Sequence, residues 1–134
     1  MNAFIDTNVV IRHLTGDPPE MAQCASRFLA AAGAGELRLA DLVLAEIVYV
    51  LESFYKVPRG QVAEYARAIV AFPAIRVDDP AMLLRAIEVY EKDRLDFADA
   101  YLVALAERSG LGVVVSFDKA IDRVDSIRRV APPE

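Results

Sequence analysis

One cysteine and one histidine are all that the 134 residues hold of the two side chains that most often bind transition metals or act as nucleophile and base. Cys24 alone cannot close an internal disulfide. Its setting in an Ala-rich amphipathic stretch reads as that of a small buried residue, and a reducing cytoplasm fits. His13 and Cys24 together are too few for a zinc site, and His13, near a helix end, reads as a surface or dipole group that supports no histidine-based mechanism. Long apolar runs are also missing. The longest are broken by Glu46, Glu52 or Asp99 well short of the roughly 20 residues that cross a bilayer, and no basic region followed by an apolar core opens the chain. A soluble, unprocessed protein with no membrane partner is expected. Basic charge is scarce too: 15 Lys and Arg face 20 Asp and Glu, a net charge of −5, which argues against an electrostatic nucleic-acid clamp. A phosphate-bearing substrate then needs a metal bridge.

What is present is enough for one core. The length lies close to the roughly 150 residues of one domain, and 55% apolar composition excludes a disordered chain. One domain spanning 1–134 is expected. Asn2 to Asp6 reads as a short buried strand, after which Thr7 or Asn8 can cap a helix with Val9, Val10 and Leu14. Asp17, followed by two prolines, reads as the cap of a helix that stops at Gly33 and Gly35. Glu36 to Ala40 is a second strand, and Asp41 caps a helix from Leu42 to about Phe54. That helix is apolar nearly all round, so it is buried on more than one side or forms a subunit contact.

The alternation continues with a helix from Pro58 to near Pro73, a strand at Ile75 to Val77 and a helix opened by Asp78-Asp79-Pro80. Lys92-Asp93-Arg94 breaks that helix, and Asp96 caps the next, from Phe97 to Arg108. Gly112 to Ser116 is a β-branched strand, Lys119 to Val124 a short helix and Ile127 to Val130 a last strand. Strands alternating with helices imply a three-layer α/β/α domain around a central, mostly parallel sheet covered on both faces.

Four acids stand within or beside apolar segments: Asp6, Glu46, Asp99 and Asp118. An ionised carboxylate facing apolar surroundings loses several kcal/mol of hydration unless a cation or strong donors replace the water. Ligands of open parallel sheets bind beyond the carboxyl ends of strands, where Asp6 and Asp118 fall, while Asp99 and Glu46 can approach from helices. Four hard oxygen donors suit Mg²⁺ or Mn²⁺. Each acid also has a plainer role. Asp6 and Asp118 can cap the helices they precede, Glu46 can reach solvent, and Asp96 and Asp99 can both answer one helix dipole. Asp122, one turn beyond Asp118, is a spare acid, and Arg12 and Lys119 are the nearest basic residues in sequence, with Arg123 beyond them.

The segments Phe4-Ile5-Asp6-Thr7-Asn8-Val9-Val10-Ile11-Arg12, Leu44-Ala45-Glu46, Leu95-Asp96-Phe97-Ala98-Asp99-Ala100-Tyr101-Leu102-Val103-Ala104 and Val115-Ser116-Phe117-Asp118-Lys119 resemble the PIN-domain nucleases, specifically the VapC-type toxins of toxin-antitoxin pairs. The resemblance covers essentially the whole chain. It implies a PIN-like fold and a Mg²⁺- or Mn²⁺-dependent endoribonuclease that is usually a homodimer, held inactive by a cognate VapB-type antitoxin. The family's acidic quartet maps onto Asp6, Glu46, Asp99 and Asp118, with Thr7, Asn8, Ser116 and Asp96 as supporting groups; Arg12 and Lys119, basic residues close to these acids in sequence, are candidate substrate contacts. The helices around Glu46 and from Ala81 to Val89 carry spare apolar surface for a dimer contact. A receiver-type phosphoacceptor domain would place its acid after a mid-chain strand, where Leu39-Ala40 stands. A haloacid-dehalogenase-like phosphatase would want an acid at Asn8. A non-catalytic PIN-like scaffold is the third alternative.

Overall fold

The computed structural model describes residues 2–133, which form two compact units that meet in sequence between Asp78 and Asp79. In the first unit β1 (Ala3–Phe4), β2 (Leu37–Arg38) and β3 (Ile75–Arg76) pair in that order, all parallel, with Ala3 opposite Leu37 and Leu37 opposite Ile75. Four helices connect them: α1 (Thr7–Thr15), α2 (Pro19–Ala31), α3 (Asp41–Ser53) and α4 (Arg59–Ala71). The parallel order requires such crossovers, since a tight hairpin turn joins only antiparallel strands. The buried side chains include Val10 and Ile11 of α1, Ala22, Ala25 and Leu29 of α2, Leu44, Ile47, Val48 and Leu51 of α3, and Val62, Ala63 and Ala66 of α4, together with Ile5, Leu37 and Leu39.

Several local expectations are corrected here. The first strand is not buried throughout: Ile5 is enclosed but Phe4 is 73% exposed and lies under the Arg38 guanidinium, 5.7 Å from its ring centroid. Strand alternation, which sends neighbouring side chains to opposite faces, separates the two. Cys24 is exposed, because Ala22, Ala25 and Leu29 supply the buried stripe of α2 and position 24 lies on the opposite side. Asp17 does not cap α2; Pro18 occupies the cap position, and the Asp17 carboxylate instead accepts the Tyr55 hydroxyl at 3.1 Å. Asp41 is the first helical residue of α3, one place beyond the cap Ala40. The helix is sided after all, with Leu42 and Tyr49 80% and 68% exposed.

The second unit begins with α5 (Pro80–Glu88), capped by the Asp79 carboxylate on the Met82 N–H at 3.1 Å. A π-helical turn, Val89–Asp93, follows and ends on Arg94 in the left-handed conformation, a break more abrupt than the charged triplet alone announces. The chain then enters α6 (Phe97–Ser109), which packs along α5 and is closed by Gly110 at φ 80°. Leu83, Ile87, Tyr90, Leu95 and Val103 are fully enclosed, and Tyr90 meets Phe97 edge to face at 5.9 Å. β4 (Val113–Val115) and β5 (Arg128–Val130) form a parallel pair joined through a 3-10 turn, Lys119–Arg123. The strands expected in one central sheet are thus paired as three and two, all parallel. Among the described residues no helix is long and apolar enough to cross a membrane.

Candidate metal centre

Asp6 sits between buried Ile5 and buried Thr7, and its own side chain is exposed. Its Oδ1 accepts the Thr7 N–H at 2.7 Å, so Asp6, not Thr7 or Asn8, is the N-cap of α1. A cap uses one carboxylate oxygen; the other is left for a further partner. Glu46 lies on the outer face of α3, since Leu44, Ile47 and Val48 take the inner one. The first unit brings these two acids to one pocket of about 240 Å³, lined also by Thr7, Asn8, Arg12, Val50, Phe54 and Tyr55. Two buried polar atoms in that lining have no hydrogen-bond partner, Thr7 Oγ1 and Arg12 Nε. An orphaned buried hydroxyl costs about 1–3 kcal/mol, which a bound water or ligand atom at this place removes.

In the second unit Asp96 is the N-cap residue of α6, yet its side chain makes no capping bond, contrary to the role expected of it. Asp99, three residues on, is half-buried in the first turn. Its carboxyl is held above the usual carboxylate range by burial first, then by hydrogen bonding to Asp118 and by the negative charges of Asp118 and Asp96. Every contribution pushes the same way. Asp118 itself is exposed: its Oδ1 accepts the Ala120 N–H at 2.9 Å, capping the 3-10 turn, and its own N–H donates to Ser116 Oγ at 3.0 Å. The expectation that all four acids are set in apolar surroundings is therefore corrected for Asp6, Glu46 and Asp118. Apolar sequence neighbours of an acid lie on the opposite face of its strand or helix. It holds best for Asp99.

Sequence reasoning missed the residue that fixes the Asp118 turn. Arg129 of β5 is largely buried; its Nη1 donates to the Ser116 carbonyl at 3.0 Å, and its Nε and Nη2 grip both oxygens of Asp122 at 3.0 Å. The fork engages both oxygens of Asp122, whose carboxyl is held below the ordinary range by that pairing. Arg123 in turn donates to the carbonyls of Asp93 and Arg94 at 3.4 and 3.0 Å, fixing the loop that leads to Asp96. An arginine 13 residues from the carbonyl it holds has no local sequence signal. Lys119 is exposed, and Arg12 is half-buried with Nη1 donating to the Asp17 carbonyl at 3.4 Å.

Among the described residues no group of three or more His, Cys, Asp or Glu side chains is placed to hold a metal ion by itself. The donors come in smaller sets: Asp6 and Glu46 in one unit, Asp99 and Asp118 with Asp96 in the other. All are hard carboxylate oxygens, the donor type that suits Mg²⁺ or Mn²⁺, and Asp99 holds its proton more tightly than normal through burial and through its acidic neighbours.

A VapC ribonuclease from Aquifex aeolicus (strain VF5) is 27% identical over 122 residues, covering 90% of this chain and 90% of that protein. The PIN domain profile matches residues 3–127, nearly the whole length and parts of both compact units. On that match, the chain belongs to the PIN domain family.

Proposed function

We propose that the protein is a VapC-type endoribonuclease, the toxin of a toxin-antitoxin pair, and that residues 1–134 act as one PIN domain. Asp6, Glu46, Asp99 and Asp118 are its ligands for Mg²⁺ or Mn²⁺, and Thr7, Asn8, Ser116 and Asp96 support them. The observation that carries the reading is Asp99: a half-buried carboxyl in the first turn of α6 that faces the carboxylates of Asp118 and Asp96. The resemblance to a VapC ribonuclease over 90% of the chain supports the choice of RNA as substrate.

When bound, the cation supplies Lewis acidity toward a phosphate oxygen and an acidified water nucleophile. The chain's own residues do the rest. Asp6 and Asp118, each fixed by a backbone N–H, offer an oxygen whose direction is set before any ligand arrives. Asp99 releases its proton as positive charge enters, so cation affinity and cleavage rise from acidic to neutral pH. Arg12 and Lys119 answer substrate phosphates. A VapB-type antitoxin, a homodimer contact through the outer residues of α3 and α5, Leu42, Tyr49 and Leu84, and a cytoplasmic setting complete the proposal.

RNA incubated with the protein and Mg²⁺ or Mn²⁺ is expected to be cut, and EDTA to stop it; uncut RNA under all conditions would leave a non-catalytic scaffold. The cation should also raise the melting temperature, since a ligand at 100 times its Kd adds about 2.7 kcal/mol to the folded state. A shift that survives Asp6→Ala combined with Asp118→Ala places the ion elsewhere. Arg129→Met is expected to lower cation affinity or turnover by about 10- to 100-fold, the usual cost of losing a group that orients a ligand. Titration of the Mn²⁺-induced thermal shift reads it, and an unchanged midpoint would show that the Ser116–Asp118 turn holds without the arginine.

A further inference from the structure

Most exposed apolar side chains on a protein need no explanation, but Phe54 keeps particular company. It closes α3 at the C-cap, is 72% exposed, and lines the pocket that also contains Asp6, Glu46 and Arg12. Its ring stands edge to face on Tyr55, with centroids 4.9 Å apart and planes at 72°. Tyr55 is fixed in turn: its hydroxyl donates to Asp17 Oδ2 at 3.1 Å, while the carbonyl of the same Asp17 accepts from Arg12 Nη1. One loop residue thus steadies both the aromatic pair and the arginine. Arg12 retains a buried Nε donor without a partner.

At 3.6 residues per turn, Phe54 lies about 80° round α3 from Glu46, whereas Leu42 and Tyr49 lie roughly 40–60° round on the other side. The ring therefore does not belong to the apolar stripe assigned above to a subunit contact. An exposed π-face, an arginine and two carboxylates lining one pocket are complementary to different parts of one ligand: base, phosphate, and the cation that accompanies phosphate. An apolar peptide would satisfy only the first.

We propose that Phe54, braced by Tyr55, is a base-stacking platform that receives one nucleotide beside the scissile phosphate. The proposal rests on the nuclease reading above and adds to it a binding subsite. Stacking tolerates every base, so the platform adds affinity at that position without selecting a sequence.

The test uses a short single-stranded RNA carrying 2-aminopurine, whose fluorescence is quenched on stacking, with the full-length protein and its Phe54→Ala, Phe54→Leu and Phe54→Trp variants. Binding and cleavage are both read in Mg²⁺, the first as the initial fluorescence change before turnover, the second as the product formed afterwards. Wild type and Phe54→Trp should quench at some position of the label. Phe54→Ala and Phe54→Leu should lose the quenching and raise KM by roughly 5- to 100-fold, with kcat held, at unchanged melting temperature. The leucine variant keeps apolar bulk, so loss there assigns the effect to the ring. If wild type cleaves and the alanine and leucine variants match it in KM and quenching, the platform is refuted while the nuclease reading stands. If the variants cut RNA normally but escape a cognate antitoxin, the ring serves a protein partner and the proposal also fails. A wild type that neither binds nor cuts RNA overturns both.

Discussion

Asp6→Asn and Asp99→Asn are each expected to reduce cation-dependent RNA cleavage by more than about a hundredfold, since outer groups that merely orient a ligand already cost about 10- to 100-fold. Neither variant should unfold the protein, and for different reasons. Asparagine caps helices as well as aspartate, so the bond from the Thr7 N–H to position 6 survives the exchange. At position 99 the native acid is the liability. Its folded-state pKa is raised by burial and by Asp118 and Asp96, so its ionisation costs the folded state as pH rises through that value; a neutral amide removes the cost at pH 7. Thermal melts at pH 7 should therefore show Asp6→Asn near wild type and Asp99→Asn level or higher, with less of the cation-induced rise. Full cleavage by either variant would make that acid a capping or dipole residue only.

Strand and helix alternation, and with it the parallel pairing, was legible because apolar periodicity and the Pro and Gly stops fall at nearly every boundary. The boundaries at Asp79, Asp96 and Gly110 are where the capping rules put them. What escaped was anything set by a distant partner. Asp17 reads as a cap because prolines follow it, yet Tyr55, 38 residues on, claims its carboxylate. Asp122 reads as a spare ligand because it stands one turn from Asp118, yet Arg129 holds it with a two-pronged bond. The exposure of Asp6 and Glu46 was misjudged for a related reason: their apolar neighbours in sequence are neighbours along the chain and not around the side chain. The π-turn at Val89–Asp93 has no compositional signature at all, and it decides how the chain approaches Asp96.

The largest stability effect should come from Arg85, which ties α5 to α6. Its Nε and Nη2 grip Glu107 at 2.8 and 3.0 Å, and its Nη1 reaches Glu88 at 2.5 Å, while Ser126 donates to the same Glu107. Bidentate, partly shielded pairs of this kind are worth more than surface ion pairs, and Glu107 is the better shielded of the two acids, with a side chain 20% exposed against 43% for Glu88. Arg85→Met should therefore cost about 1–3 kcal/mol at pH 7, mostly through the desolvated Glu107 left with Ser126 alone. The pairing holds both carboxyls below their ordinary range, chiefly through the hydrogen bonds from Arg85. An acid whose folded pKa is depressed contributes stability that is complete above its unfolded pKa and is lost as pH falls through the folded one. The gap between wild type and Arg85→Met should accordingly be full at pH 6–7, narrow below the ordinary glutamate pKa of about 4.3, and nearly vanish once both acids are protonated. Urea unfolding of the two proteins from pH 7 to pH 3 measures this directly. Lys92→Ala, which removes only a 3.7 Å contact of Glu88 with an exposed lysine, should change little across the range. A gap for Arg85→Met that stays constant with pH would mean that packing of the arginine stem, and not its charge, joins α5 to α6.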